Sequence, residues 1–399
     1  MGLYWDELSS IYSYRNSYSN SLKNKEYILF SYLDQKLNKS IGSSVNFSFK
    51  ENFYAYINAS FLGDFYSEKN TIIGNANFPD KGVASGFGFE NDWVTIQYGK
   101  GKENWGAGND LALALSNDSA PYNYFFLHSN YGHLRVSYMH GFLEQTDDGI
   151  NRYINARGLE WTNKKSVILS FTETIIYSGE NRSLDFAYVN PISSHLEVEN
   201  NNRNNIYGTD YGNAVWQLHL DLLIKKKSRL SLNFLIDEFV LDPEVENNKQ
   251  HGRAYSFGYS YNMISDNKNI VNFFISKFYI GTPTFRHGRG ENNFVYQNQP
   301  TGSNLGSDIE NINTGLKYSR INKLLLLFTL RYINSGEENI LDRPYEVFQS
   351  YEKSKFPSGS ARGIFLAETH AIFKLKSYLT INILFDSSKS LNCLVMRKI

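Results

Sequence analysis

Cysteine is scarce in this chain of 399 residues, and long apolar stretches and an excess of one charge are missing. The single cysteine, Cys393, excludes an intrachain disulfide and a cysteine-based metal cluster. Basic and acidic residues both number 40, whereas nucleic-acid-binding proteins normally carry a basic excess, so we expect no nucleic-acid partner. No apolar stretch approaches the roughly 18–20 residues of a transmembrane helix, since the longest, at 324–328, is short.

Aromatic residues, by contrast, are abundant: they make up 16% of the chain, mainly as 29 tyrosines and 28 phenylalanines. Many lie in segments where apolar and polar residues alternate, as expected for β-strands with one apolar face. Such segments are present at 53–61, 216–224, 255–261 and 379–385. Strands of about 8–12 residues are long for a soluble sandwich and suit a tilted membrane crossing.

The connections between the predicted strands alternate between tight turns and long polar loops. Tight turns are predicted at 50–52, 90–92, 129–132, 163–165, 225–228, 265–269, 321–322 and 375–376. Long segments rich in Asn, Gly, Ser and charge are predicted at 64–82, 101–121, 144–152, 178–210, 241–252, 282–312 and 335–362. Outer-membrane barrels have this pattern, with short periplasmic turns and longer extracellular loops.

We therefore predict an all-β fold, a transmembrane antiparallel β-barrel of about 18 strands, in residues 27–399. The count includes a weak first strand at 27–37 and a weak last strand at 391–398, and an even number places both termini in the periplasm. The alternative is a soluble all-β protein such as a sandwich or a propeller. The chain has no repeat of about 40–50 residues, which argues against a propeller.

The beginning of the chain does not fit this prediction. A barrel in the outer membrane of a Gram-negative-type cell must be exported, yet the first 14 residues lack the basic region and apolar core of a signal peptide. We interpret 1–26 as an N-terminal segment left by a truncated start. A signal peptide encoded in frame upstream of Met1 would agree with the predicted location.

Two segments carry motifs of moderate specificity. In 89–122, a strand is followed by Trp105-Gly106-Ala107-Gly108 and then, at 113–121, by Leu-Ala-Leu-Ser-Asn-Asp-Ser-Ala-Pro. In 156–202, a strand–turn–strand leads to Tyr177, Ser178, Gly179, Arg182, Asp185, Ala187, Tyr188, Asn190 and Pro191. Together with Leu-Ile-Asp-Glu-Phe at 235–239, these segments resemble the Wzi family of capsule-assembly outer-membrane proteins, especially its Bacteroidetes-type members. Ala107 stands where that family usually has proline.

The resemblance implies an 18-stranded barrel that assembles or holds surface polysaccharide. It covers about 89–240 in order and spacing, and the strand pattern continues to the C-terminus. Classical members of the family carry a periplasmic helical bundle near the N-terminus. Residues 1–25 are too few to contain that bundle, so its function is not carried over to this chain.

Seven residues are candidates for polysaccharide binding, and each also has a structural interpretation. Trp105 lies in a glycine-rich loop and is either an aromatic platform for a sugar ring, flanked by Asn109 and Asp110, or the packing anchor of a loop folded into the barrel mouth. The other four candidates, at the start of a long loop, either bind an anionic glycan or form a network that pins that loop: Arg182, Asp185, Tyr188 and Asn190.

Other polar groups offer weaker candidates. Asp237 and Glu238 are adjacent, so on a strand they point to opposite faces and do not form a hydrolase pair. Asp147 and Asp148 lack the spacing of a calcium loop. Arg286, His287, Arg289 and Glu291 lie in a loop that contacts capsule or lipopolysaccharide, or is simply solvated. We expect no metal and no cofactor.

The sequence thus supports three hypotheses for function. The first is a non-catalytic, monomeric barrel that binds capsular polysaccharide or exopolysaccharide, contacts outer-membrane lipid or lipopolysaccharide, and assists capsule assembly or attachment. The second is a porin-like channel for small solutes. The third is a barrel enzyme, for which a serine and a histidine must be adjacent in space. An open, charge-lined lumen favours the second hypothesis, and inward-folded loops favour the first.

Overall fold

The computed structural model describes residues 28–34, 40–49, 52–62, 84–108, 111–200, 211–225, 227–237, 250–266, 268–320, 323–347, 355–376 and 379–392. The predicted boundary between residues 26 and 27 lies outside these ranges. Nine strands precede residue 181: β1 Ile28–Asp34, β2 Ser40–Phe49, β3 Phe53–Leu62, β4 Ala84–Glu90, β5 Val94–Gly101, β6 Tyr122–Tyr131, β7 Leu134–Gln145, β8 Ile150–Thr162 and β9 Val167–Glu180.

Two short helices and ten further strands follow. The helices are α1 Phe186–Val189 and α2 His195–Asn200, and a 3-10 turn lies at Gly290–Asn292. The strands are β10 Gly212–Ile224, β11 Ser228–Ile236, β12 Arg253–Ser265, β13 Asn269–Ile280, β14 Val295–Tyr296, β15 Gln299–Pro300, β16 Ile309–Arg320, β17 Leu324–Ser335, β18 Arg362–Lys376 and β19 Leu379–Asn392. Among the described residues no helix is long and apolar enough to cross a membrane.

Seventeen of the strands form one sheet, and β14 and β15 form a separate small hairpin. Each strand of the large sheet pairs antiparallel with the next one along the chain, from β1–β2 to β18–β19. This confirms the all-β prediction and the weak first strand. No pairing between β19 and β1 is present in the described ranges.

The alternation of turns and loops is also largely confirmed, because an antiparallel meander places every second connection at the same end of the sheet. We call the two ends the short-turn end and the long-loop end. The predicted loop at 144–152 was wrong, because β7 ends at Gln145 and β8 begins at Ile150. Gly149, at a φ of 80°, lets this connection close as a tight turn.

The last strands differ from the prediction as well. The predicted turn at 375–376 still belongs to β18, and residues 391 and 392, assigned to an eighteenth strand, still belong to β19. The remaining residues of that predicted strand, 393–398, lie outside the described residues. An even count of strands therefore stays a prediction.

The sheet curls around one apolar cluster. Buried residues of eleven strands of the large sheet, β6 to β13 and β16 to β18, belong to it together with residues of β14 and of the connecting loops. We call the face that contacts this cluster the inner face and the opposite one the outer face. Leu113 and Leu115, from the connection between β5 and β6, are fully buried at the cluster.

The outer face carries large apolar side chains, whereas the inner wall is largely polar. One register row across β7 to β12 presents outward side chains that are 37–51% exposed: Val136, Leu159, Phe171, Leu218, Phe234 and Tyr255. We call it the apolar row. Gln217, His219 and Asp221, which alternate with Leu218 on β10, are buried on the inner face. This distribution of apolar and polar side chains is the reverse of that in a water-soluble protein. It matches a wall surrounded by lipid.

Candidate functional site

Three connections at the long-loop end fold into the space on the inner side of the curved sheet. They are loop A (102–121), loop B (281–308) and loop C (336–361). Residues 109–110 of loop A and 348–354 of loop C lie outside the described residues. Together they form the plug. Its apolar residues include Leu111, Leu113, Leu115, Phe294 and Ile340, which belong to the central cluster.

Loop A is fixed to the far wall by Asn233, an inward residue of β11. Asn233 Oδ1 accepts a hydrogen bond from Ala107 N at 2.7 Å, and its Nδ2 donates to Ala107 O at 2.9 Å and to Leu111 O at 3.2 Å. Gly108 N donates to Asp221 Oδ2 at 3.2 Å. A buried polar wall residue thus satisfies the backbone groups of a buried loop, which would otherwise lose their hydrogen bonds.

Loop B packs against loop A through close backbone contacts. Ser116 N donates to Thr301 O at 3.1 Å, and Ser303 N donates to Leu113 O at 3.0 Å. A Cβ atom at Gly302 would lie 1.7 Å from Leu113 O. Only glycine fits at this position, so the approach of the two loops depends on it.

Arg152, fully buried on the inner face of β8, joins the wall to loops B and C. Its guanidinium donates to the backbone carbonyls of Glu291, Asn293 and Val295 in loop B and pairs with Glu144. Tyr345 of loop C donates to Glu144 Oε1 at 2.7 Å. Burial raises the pKa of Tyr345 to about 12, with Glu144 acting in the same direction.

Asp308 connects loops B and C in the same way. Its carboxylate accepts hydrogen bonds from Thr282 Oγ1 at 2.8 Å, from Ser358 N at 3.0 Å and from Glu338 N at 3.2 Å. The residue is fully buried and has a φ of 54°. A buried carboxylate that accepts several hydrogen bonds holds the two loops in one arrangement.

Four charged side chains of loops B and C, Arg286, Arg289, Glu338 and Arg343, are together called the rim cluster. Glu338 pairs with Arg286 at 3.1 Å and with Arg343 at 3.3 Å, and Arg289 lies 3.9 Å from the centre of the Tyr211 ring. Burial lowers the pKa of Arg286, which Glu338 partly offsets. Arg289 and Arg343 are 38% and 40% exposed, so they can contact an external ligand.

Between the plug and the short-turn end, the inner face borders a cavity of about 580 Å³. Its lining includes Arg229, Lys317, Arg331 and His370 from the wall and Asp118 from loop A. Some wall atoms here have no protein partner, among them Asn311 Oδ1 and Asn313 Oδ1. The plug therefore occupies the long-loop end, while the space towards the other end is lined by both polar and apolar side chains.

The connection between β9 and β10 differs from loops A, B and C in its position, because its described part lies on the outer face of the sheet. We call residues 181–200 the external segment. Four successive outward side chains of β8 donate hydrogen bonds to its backbone carbonyls: Asn151 and Tyr153 to Arg182, Asn155 to Tyr188 and Arg157 to Asn190, at 2.7–3.2 Å. A second apolar cluster, containing Tyr177, Tyr188, Val198 and Ala214, fills the contact.

Four of the predicted sugar-binding residues lie in this external segment and make structural contacts. Arg182 pairs with Asp185 at 2.6 Å and lies over the Tyr177 ring at 4.7 Å. Asp185 also caps α1 by accepting from Ala187 N. Tyr188 stacks on Tyr177, and burial raises its pKa. These contacts match the interpretation in which the network pins the loop; Asn190 is exposed and contacts Ser193.

Trp105 lies at the central apolar cluster. It packs against this cluster, and its Nε1 donates to Glu103 Oε2 at 3.2 Å, which matches the interpretation as a packing anchor. Asn109 and Asp110 lie outside the described residues. Sugar contact by these seven residues stays a prediction. No group of three or more potential metal ligands was present in the described ranges.

The sequence did not reveal the residues that fix the plug. Asn233, Arg152 and Asp308 each bind a segment that is more than 25 positions away in the chain. Polar residues at the inward-facing positions of the predicted strands, such as Asn233, could have indicated where the wall binds a loop. Asp237, considered there as half of a carboxylate pair, instead accepts a hydrogen bond from Phe285 N of loop B.

Solved structures give the fold a precedent. The structure is similar to Wzi, an outer-membrane protein involved in group 1 capsule assembly in Escherichia coli and a carbohydrate-binding β-barrel. The TM-score is 0.61 at 11% sequence identity, over 92% of this chain and 79% of Wzi. No protein-family model and no curated protein sequence matches the chain.

Two proteins of Pseudomonas aeruginosa are more distant. OpdQ has a TM-score of 0.44 at 10% identity, over 88% of this chain and 85% of its own. OccK10 (OpdN) has a TM-score of 0.45 at 9% identity, over 92% and 94%. Scores of this size do not establish a common fold. The likeness to Wzi shows that this chain has the fold of an outer-membrane β-barrel.

Proposed function

We propose that this protein is a Wzi-like barrel of about 18 strands in the bacterial outer membrane. It binds surface polysaccharide at its long-loop end and assists the assembly or attachment of capsule or exopolysaccharide. It acts by binding, without catalysis, as a monomer in contact with outer-membrane lipid. The observation that carries the proposal is the plug, because three loops fill the lumen with a packed core instead of leaving it open.

The same observation weighs against a porin-like channel. Barrels of 16–18 strands that work as porins leave an aqueous passage. Here the central cluster, Asn233 and Asp308 hold loops A, B and C across the lumen at the long-loop end. A rigid plug gives the barrel a fixed external surface, which suits recognition of a polymer too large to pass.

We assign polysaccharide contact to the rim cluster. Arg289 and Arg343 present exposed guanidinium groups, and arginine binds carboxylates of acidic sugars in a bidentate manner. Tyr211 lies beneath Arg289. The predicted residues Trp105, Arg182, Asp185 and Tyr188 hold the loops of the long-loop end in place, so their substitution affects binding indirectly.

The test is binding of polysaccharide extracted from the surface of the source strain to the purified protein in nanodiscs. Arg289→Ala/Arg343→Ala is expected to weaken binding by at least about tenfold, since each charge-assisted hydrogen bond contributes on the order of 1.5–3 kcal/mol. Arg320→Ala removes one exposed charge near the short-turn end and is expected to bind normally. Unchanged binding by the double variant would overturn the assignment, and absence of binding by the native protein would overturn the function.

A further inference from the structure

The external segment has an unusual surface. Nearly all the large apolar side chains that are exposed in the described residues lie on strands. The exceptions are Trp93, Val347 and four residues of the external segment: Leu184, Phe186, Ile192 and Leu196. Phe186 and Ile192 are 81% and 88% exposed. Loops that face water are normally polar, so this surface indicates a partner that is apolar.

Beneath the segment, the wall carries charge on its outer face. The register row next to the apolar row, on the side of the long-loop end, contains Arg157 and Glu173, which are 8% and 3% exposed. Their ion pair measures 3.1 Å. Glu173 also accepts hydrogen bonds from His195 N at 3.0 Å and from Trp216 Nε1 at 2.9 Å. The external segment therefore supplies part of the solvation of a charged pair on the outer wall.

The position of this pair along the strand decides what surrounds it. Trp161, outward and exposed near the short-turn end of β8, fits the aromatic girdle of a barrel at the membrane interface. Arg157 is four residues closer than Trp161 to the long-loop end of β8. That separation is about 13 Å along a strand and roughly 10 Å across the membrane at the usual tilt. The apolar band of such barrels is about 25 Å tall, so Arg157 and Glu173 lie within it.

We propose that the external segment is embedded in the outer leaflet of the membrane. Its inner side neutralises and covers the polar outer wall of β7 to β10. Its outer side, through Leu184, Phe186, Ile192 and Leu196, contacts lipid acyl chains and continues the apolar surface that the neighbouring strands present directly. The proposal rests on the outer-membrane location proposed above and is independent of polysaccharide binding.

The test uses spin labels in the whole protein reconstituted in phospholipid vesicles. In a Cys393→Ser background, a nitroxide is attached at Phe186→Cys or Ile192→Cys. Collision with oxygen, which concentrates among acyl chains, is compared with collision with a water-soluble nickel complex. Matched controls are Leu159→Cys and Phe171→Cys in the apolar row and Lys165→Cys, exposed in a turn at the short-turn end.

The labels at 186 and 192 are expected to match those at 159 and 171, with an oxygen-to-nickel ratio several-fold higher than at 165. A ratio equal to that at 165 would overturn the proposal, because the segment would then face water. Spin–spin broadening between copies that disappears on dilution with unlabelled protein would overturn it in favour of a second copy as the partner. A water-like ratio at 159 and 171 would instead overturn the membrane location itself.

Discussion

The lumen and the outer wall of β7 to β10 are both covered by loops from the long-loop end, but the two contacts bury different groups. In the lumen, polar wall residues such as Asn233 and Asp221 bind the backbone of loop A, and the apolar side chains of the loops pack on one another. On the outer wall, the ion pair of Arg157 and Glu173 lies beneath the external segment. Side chains of β8 also donate hydrogen bonds to the backbone carbonyls of that segment. Next to the external segment, where no loop docks, the outer wall is apolar, as in the apolar row. The buried polar residues on the outer wall of β8 and β9 therefore mark the place where a loop is bound.

The largest effect is expected at the outer contact. Arg157→Met leaves Glu173 buried without its counter-charge, which typically lowers the free energy of unfolding by about 3–5 kcal/mol. The double variant Arg157→Met/Glu173→Met removes both charges and is expected to recover part of that loss. Urea unfolding from liposomes, followed by tryptophan fluorescence, measures both. A single variant as stable as the native protein would show that the pair is not buried by the external segment.

The inner contact is expected to respond less strongly. Asn233→Leu leaves the backbone N–H and C=O of Ala107 unpaired, at a cost of about 1–3 kcal/mol, and is expected to make loop A accessible to protease. Asn311→Leu is the matched control, because Asn311 is also buried on the inner face but its Oδ1 has no partner. Equal effects of the two substitutions on protease cleavage would contradict the role given to Asn233.

Tyr345→Phe tests the contact between loop C and the wall. It removes the hydrogen bond to Glu144, which is expected to cost about 1 kcal/mol at neutral pH. The pKa of Tyr345 is raised from 10.0 to about 12, so the unfolded chain ionises first as pH rises. The native protein should lose stability between those pH values, and the variant should lose less. Parallel plots of stability against pH for the two proteins would contradict the neutral state of the half-buried Tyr345.

The smallest effect is expected at the short-turn end, where no loop docks. Asp266 is exposed, and hydrogen bonds from the backbone N–H groups of Lys268 and Asn269 lower its pKa. The contribution of Asp266 to the free energy of unfolding is fully present above the ordinary carboxyl pKa. It is lost as the pH falls through the lowered pKa. The stability difference between the native protein and Asp266→Ala should shrink on acidification. A difference that grows at low pH would reverse the sign of this linkage.

Strand positions were predictable because lipid imposes an apolar outer face on every crossing. The segment 216–224 alternates as β10 does, and its polar members Gln217, His219 and Asp221 point inward as expected. The positions of most long connections were predictable from their content of Asn, Gly, Ser and charged residues. The turn at 146–149 did not, because polar residues and a glycine are common to loops and tight turns alike.

Which way each loop folds was not predictable. The contact between Ala107 and Asn233 joins residues 126 positions apart, and no local pattern encodes it. Helices α1 and α2 have 4 and 6 residues, too few for helical periodicity to be recognised. Arg182 and Arg289 both lie in long polar loops of the sequence. In the structure, Arg182 is buried on the outer wall, whereas Arg289 is exposed beside Tyr211.

The central claim is that loops A, B and C close the lumen, and conductance across a planar lipid bilayer tests it most directly. The native protein is expected to give no large steady current. A variant lacking residues 104–118 of loop A verifies insertion, because it should open an aqueous passage and raise the current by about tenfold or more. A large steady current through the native protein would contradict the plug and, with it, the polysaccharide-binding function proposed for this barrel.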